Sequence, residues 1–121
     1  MAGAFAGAVG RLLQTRSDEV LVENGGDLWM AGSRPRTVGI FAGDSPFSGR
    51  LGVRIHPTMM PLGVCTSSGT VGPSFSYGRA DALTVLAPDV LLADAVATAA
   101  GNLVQGPDDL LRAVEFALSL E

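Results

Sequence analysis

The run from Val90 to Val104 is apolar except at Asp94, Thr98 and Asn102, and it limits the possible folds more than any other stretch. Pro88 and Asp89 open a helix here, with Asp89 as cap or first-turn acid, and Gly101 to Pro107 close it. At a spacing of four residues, Asp94, Thr98 and Asn102 share one face. A helix otherwise built of Leu, Ala and Val is buried, and buried polar groups are costly unless paired. A carboxylate among alanines and leucines would be protonated or destabilising without a partner. An arginine would serve as that partner. So would a cation, with the Thr98 hydroxyl one turn away as a second oxygen.

The rest of the chain supplies the sheet. Ala2 to Arg16 reads as a helix on the spacing of Phe5, Val9, Leu12 and Leu13, with Gly3, Gly7 and Gly10 permitting close packing. Glu19 to Glu23 alternates as a strand, Asn24-Gly25-Gly26-Asp27 turns, and Leu28 to Ala31 returns as the second arm of a hairpin. Thr37 to Ala42 is a third strand, and Gly43 to Gly49 is a loop. Leu51, Val53 and Ile55 alternate with Arg50, Arg54 and His56 as a half-buried strand. Gly63 to Thr66 and Asp81 to Ala87 read as further strands. Pro107 to Leu120 is a last helix, expected to bury Leu110, Leu111, Val114, Ala117 and Leu118. Antiparallel strands with helices near the chain ends make an α+β protein, with the first helix and the 90–104 helix on one sheet face.

At 121 residues the expectation is a single domain over 1–121 with a real core. A hydrophobic content of 47% with 17% charged residues argues against disorder. The net charge of −4 offers no basic excess for nucleic acid. All eight basic residues are Arg, so a Schiff-base or phosphate-loop lysine is absent from the chain. One cysteine excludes an internal disulfide and a cysteine-rich zinc site. No stretch reaches the ~18 apolar residues of a membrane span. Met1 to Val9 lacks the basic start of a signal peptide, so the cytoplasm is the expected compartment.

Four hydroxyls and two glycines without a charge fill the loop Cys65-Thr66-Ser67-Ser68-Gly69-Thr70-Val71-Gly72. Such a loop suits a phosphate, and next to the Asp94 face it suggests a phosphate with a hard cation. The bland alternative is an ordinary turn. Asn24 to Asp27 is first a hairpin turn and only second a ligand contact. Arg50, Arg54 and His56 read as a solvated face, Cys65 as a small buried residue rather than a nucleophile, and Trp29 as core.

Three segments in order, Glu23-Asn24-Gly25-Gly26-Asp27, Cys65 to Gly72 and Ala93-Asp94-Ala95-Val96-Ala97-Thr98-Ala99, resemble the ApbE-like superfamily, chiefly its uncharacterised conserved branch. The better-known members are magnesium-dependent FAD:protein FMN transferases. The resemblance implies a T-fold-like antiparallel sheet backed by helices on one face, as half of a larger domain. It implies a flavin nucleotide, FAD or a relative, at Gly25, Gly26, Asp27, Thr66, Ser67, Ser68, Gly69 and Thr70. It implies magnesium at Asp94 and Thr98. Thr66, Ser67 and Gly69 match the family's "TSG" loop, but Thr70-Val71-Gly72-Pro73 then brings no histidine or charge where the transferases have both. Members run to about twice this length, so the resemblance also implies a partner: the N-terminal half, a second chain or a homo-oligomer. Transfer of FMN to a protein threonine, binding of a flavin or other phosphate-bearing ligand without turnover, and a purely structural half-domain all stay open.

Overall fold

The computed structural model describes residues 1–73 and 75–120. The chain runs α1 (Ala2–Gln14), β1 (Val20–Asn24), β2 (Asp27–Ala31), β3 (Arg36–Gly39), β4 (Gly52–Ile55), β5 (Leu62–Ser67), β6 (Leu83–Ala87), α2 (Val90–Leu103) and α3 (Leu110–Leu118). It is α+β. Four strands form an antiparallel sheet in the order β1-β2-β5-β6, and β3 and β4 pair separately as a two-stranded ribbon. No described helix is long and apolar enough to cross a membrane.

The period-two alternation of the strands sends side chains to opposite faces, and each face has its own cover. Val20, Trp29, Ala31 and Cys65 meet Ala6 of α1 and Val90, Ala93 and Ala97 of α2. Their neighbours Met30, Leu62 and Val64 meet Ile55, Val38, Val53 and Met60 on the ribbon side. The sheet thus lies between a helix layer and the β3–β4 ribbon. Asp89 caps α2 by accepting from the Leu91 amide at 2.9 Å.

α1 reverses one expectation. Its periodic apolar residues Phe5, Val9, Leu12 and Leu13 are exposed, and the buried face is Gly3, Ala6, Gly7 and Gly10. Close approach is the cause. A Cβ on Gly10 would run into the Trp29 ring, and one on Gly7 would strike the Val90 side chain. Gly63 meets the Val90 backbone from the sheet side, so Val90 is the point where α1, α2 and β5 cross.

The last helix departs similarly. Pro107–Asp109 is a short 3-10 turn, α3 begins only at Leu110, and Ala113 is its buried residue. Leu110, Leu111, Val114 and Leu118 are exposed, Leu111 by 68%. α3 packs chiefly on α2, and among the described residues nothing covers its outer side. The third strand is shorter than expected: it ends at Gly39, and Phe41 beyond it is exposed.

Candidate functional site

The β1–β2 turn forms one wall of a cleft of about 590 Å³. Gly25 and Gly26 have φ of +61° and +95°, the paired left-handed conformations of a tight hairpin turn that side-chain-bearing residues resist. The Glu23 carboxylate accepts from the Gly26 amide at 2.7 Å and braces the turn. Asp27 then enters β2 pointing inward, only 6% exposed, and its Oδ1 accepts from the Thr66 amide at 3.2 Å.

β5 supplies the floor. Thr66 pairs its hydroxyl with that of Thr84 at 2.9 Å, and Ser67 and Ser68 follow along the cleft. The Ser68 hydroxyl accepts from the amides of Thr70 and Val71 at 3.2 and 2.9 Å, which curls the loop. α2 supplies the far wall with Asp94, Ala97 and Thr98. Asp94 is 19% exposed at its side chain, and its partner is not an arginine. Its Oδ2 accepts from the Met1 amine at 2.7 Å and from the Gly3 amide at 3.1 Å, in the first turn of α1.

Gly25, Gly26, Asp27, Thr66, Ser67, Ser68, Asp94 and Thr98 therefore face one cavity. Gly69 and Thr70 do not line it. The Gly69 amide donates to the Ala80 carbonyl at 2.8 Å, and the Thr70 hydroxyl donates to Asp81 at 2.8 Å, so both face the loop's own return. Asn102 shares the Asp94 face but does not line the cavity itself; its Oδ1 accepts at 3.1 Å from the hydroxyl of Ser76, which does line it, and at 3.0 Å from the Tyr77 amide. The exposed rings of Phe41 and Phe75 join the rim, with Val38 from the ribbon. Phe41 was expected within the Thr37–Ala42 strand rather than at a site, and the only sequence signal at Phe75 is an aromatic set in a Gly-, Ser- and Pro-rich stretch.

The electrostatics are uneven. Burial first, then the charge of Asp94, push the Asp27 carboxyl above its ordinary range, against the opposing pull of the Thr66 amide. Burial likewise drives the Cys65 thiol up to about 12, aided by Asp27 and Asp94. Cys65 is fully buried and its Sγ lies 3.7 Å from the Val90 carbonyl oxygen, so it is a packing residue and not a nucleophile.

The donors facing the cavity are carboxylates and hydroxyls, a set that suits a hard cation. A cation placed against Asp27 would offset the burial and the Asp94 charge that raise its proton affinity. Among the described residues no group of three or more His, Cys, Asp or Glu converges. A cation here would complete its shell with water or ligand oxygens, as magnesium does.

Sheet, helix layer and cleft together define an α+β protein with a concave, oxygen-lined site where a hairpin turn, a hydroxyl-rich strand end and a helix meet. The chain belongs to the family described as "AbpE bacteria", whose profile matches residues 1–118. It is similar to the UPF0280 protein of Methanothrix thermoacetophila, at 49% identity over 113 residues, 93% of this chain and 47% of that one. It is similar also to the UPF0280 proteins of Methanocella arvoryzae, 52% identical over 79% of this chain and 39% of the relative, and Methanopyrus kandleri, 47% identical over 94% and 48%. The chain thus spans about half the length, or less, of the curated relatives it matches.

Proposed function

We propose that the cleft is a flavin-nucleotide site of the ApbE type, which takes FAD with magnesium and passes its FMN half to a threonine of a protein. The observation that carries the reading is the convergence of three sequence-distant segments, Gly25 to Asp27, Thr66 to Ser68, and Asp94 with Thr98, on one cavity. Asp94 and Thr98 would hold the cation, with Asp27 as the nearby second carboxylate. The cation, when bound, supplies charge neutralisation on the pyrophosphate oxygens. The Ser67 and Ser68 hydroxyls and the glycine turn offer donors and close backbone approach to phosphate. Phe41 and Phe75 offer exposed faces to a planar ring. The acceptor threonine oxygen bonds to the FMN phosphorus, the bond to AMP breaks, and the hydroxyl proton leaves to solvent.

A second reading, binding without turnover, is favoured by Val71-Gly72-Pro73, which brings no charged or basic side chain to the loop. Incubation with FAD, magnesium and a threonine-bearing acceptor separates the two. Released AMP with covalently flavinylated acceptor supports transfer, and magnesium-dependent retention of FAD without AMP supports the binder. Asp94→Asn should weaken magnesium-dependent FAD binding at least tenfold. If that variant binds like the parent, or the parent retains no FAD, the site assignment is wrong.

A further inference from the structure

We infer that Asn102 is a positioning residue: it fixes the segment 75–78 beside the cleft so that the Phe75 ring can pack on the planar ring of a flavin nucleotide. The inference rests on the flavin-nucleotide reading of the cleft and adds to it the residue that sets ring recognition. Asn102 stands one turn on from Thr98 along the Asp94 face, in the last turn of α2. Asp94 and Thr98 face the cavity, and Asn102 instead grips the segment that borders it.

The segment lies outside helix and strand, so its backbone polar groups need partners from elsewhere. The end of α2 supplies them. The Tyr77 amide can only donate, so the atom facing it at 3.0 Å must be the Asn102 oxygen. The same Oδ1 accepts from the Ser76 hydroxyl, which in turn accepts from the Gly78 amide at 3.2 Å. Just past the helix, the Gln105 Nε2 donates to the Tyr77 carbonyl oxygen at 2.9 Å, and the Arg79 amide donates to the Val104 carbonyl oxygen at 2.7 Å.

Burial does not hold the segment. Phe75 and Tyr77 are 82% and 75% exposed, and their rings meet edge to face with centroids 5.0 Å apart. Phe75 and Ser76 line the cavity, and Tyr77 does not. Tyr77 thus supports the Phe75 ring, while Asn102 fixes the backbone that carries both. Among the described residues no arginine or histidine lines the cavity, so beyond a cation and the hydroxyls it is ring contact that can bind the ligand. That contact depends on a segment whose place is set by hydrogen bonds, and Asn102 makes two of them.

The test compares binding of FAD with magnesium and binding of inorganic pyrophosphate with magnesium, which has the phosphates but no ring. The proteins are the parent, Asn102→Ala, Asn102→Asp, Phe75→Leu and the double variant Asn102→Ala with Phe75→Leu, each checked for fold by circular dichroism. Asn102→Gln, which displaces the oxygen by one methylene, serves should Asn102→Ala not fold. Asn102→Ala and Phe75→Leu should each weaken FAD binding about tenfold and leave pyrophosphate binding within roughly twofold. Asn102→Asp keeps the accepting oxygen and should bind FAD nearly as the parent does. The double variant should lose no more than either single change, because the asparagine acts through the ring. FAD binding unchanged in Asn102→Ala, equal loss of both ligands, no rescue by Asn102→Asp, or additive losses in the double variant would each overturn the inference and leave the flavin reading standing. A parent without affinity for FAD or for pyrophosphate with magnesium would overturn both.

Discussion

Asp27 is a carboxyl group held where its charged form is disfavoured. Its raised pKa has a definite sign in stability. Between the ordinary value of 3.8 and the higher folded value, the folded protein binds more protons than the unfolded chain, so stability falls as pH rises through that window. Asp27→Asn keeps an oxygen to accept from the Thr66 amide and removes the charge. The variant should unfold at a higher Tm than the parent at pH 7 without divalent ions, with the difference vanishing as pH drops below about 3.8. Magnesium should stabilise the parent more than the variant. Cys65 gives a simpler outcome. With its thiol at about 12 and no exposure, it should resist a thiol reagent at pH 8 in the native protein and react once unfolded.

Elements are joined here by small contacts that decide register. Glu19 ties the start of β1 to the turn before β3. Its Oε1 accepts from the Ser33 amide and hydroxyl at 2.7 and 2.8 Å, and its Oε2 meets Arg36 at 3.0 Å. These donors hold the carboxyl at about 2, so its contribution is present above the ordinary 4.5 and is lost as pH falls towards 2. Glu19→Gln should flatten that part of the acid limb in urea unfolding followed across pH. For α1, Gly10→Ala sets two effects against each other. Alanine improves helix propensity by about 1 kcal/mol, but overpacking against Trp29 costs about 1–3 kcal/mol. Net loss of stability is expected at Gly10, while Gly39→Ala, with open space around it, should change little.

Element types were legible because periods of two and 3.6 survive in the sequence; buried faces were less so. For α1 the hydrophobic stripe points outward because glycines let the backbone press on Trp29 and Val90, and a hydrophobicity pattern does not register that gain. For α3 the stripe is real but has no cover among the described residues. The cleft was legible at residues whose type is out of place, such as Asp94 among alanines. It was not legible at Gly69 and Thr70, because the curl imposed by the Ser68 hydroxyl turns them away.

At the scale of the whole molecule, the outer helix layer presents Phe5, Leu12, Leu91, Leu111 and Leu118 to solvent. Exposed apolar side chains in this number bind hydrophobic dyes. The native chain alone should enhance ANS fluorescence, and Leu111→Glu with Leu118→Glu should lower that signal without loss of helicity. The other device is a ladder of three glycines. Gly69 abuts the Gly78 carbonyl, and Gly78 abuts the Gly101 carbonyl at the end of α2, each with room for hydrogen alone. Backbone thereby rests on backbone from the serine loop to the helix that bears Asp94. The loop and the carboxylate are consequently parts of one lever: a ligand that shifts the first must drag the second, and any methyl group wedged between the rungs would throw both out of alignment at once.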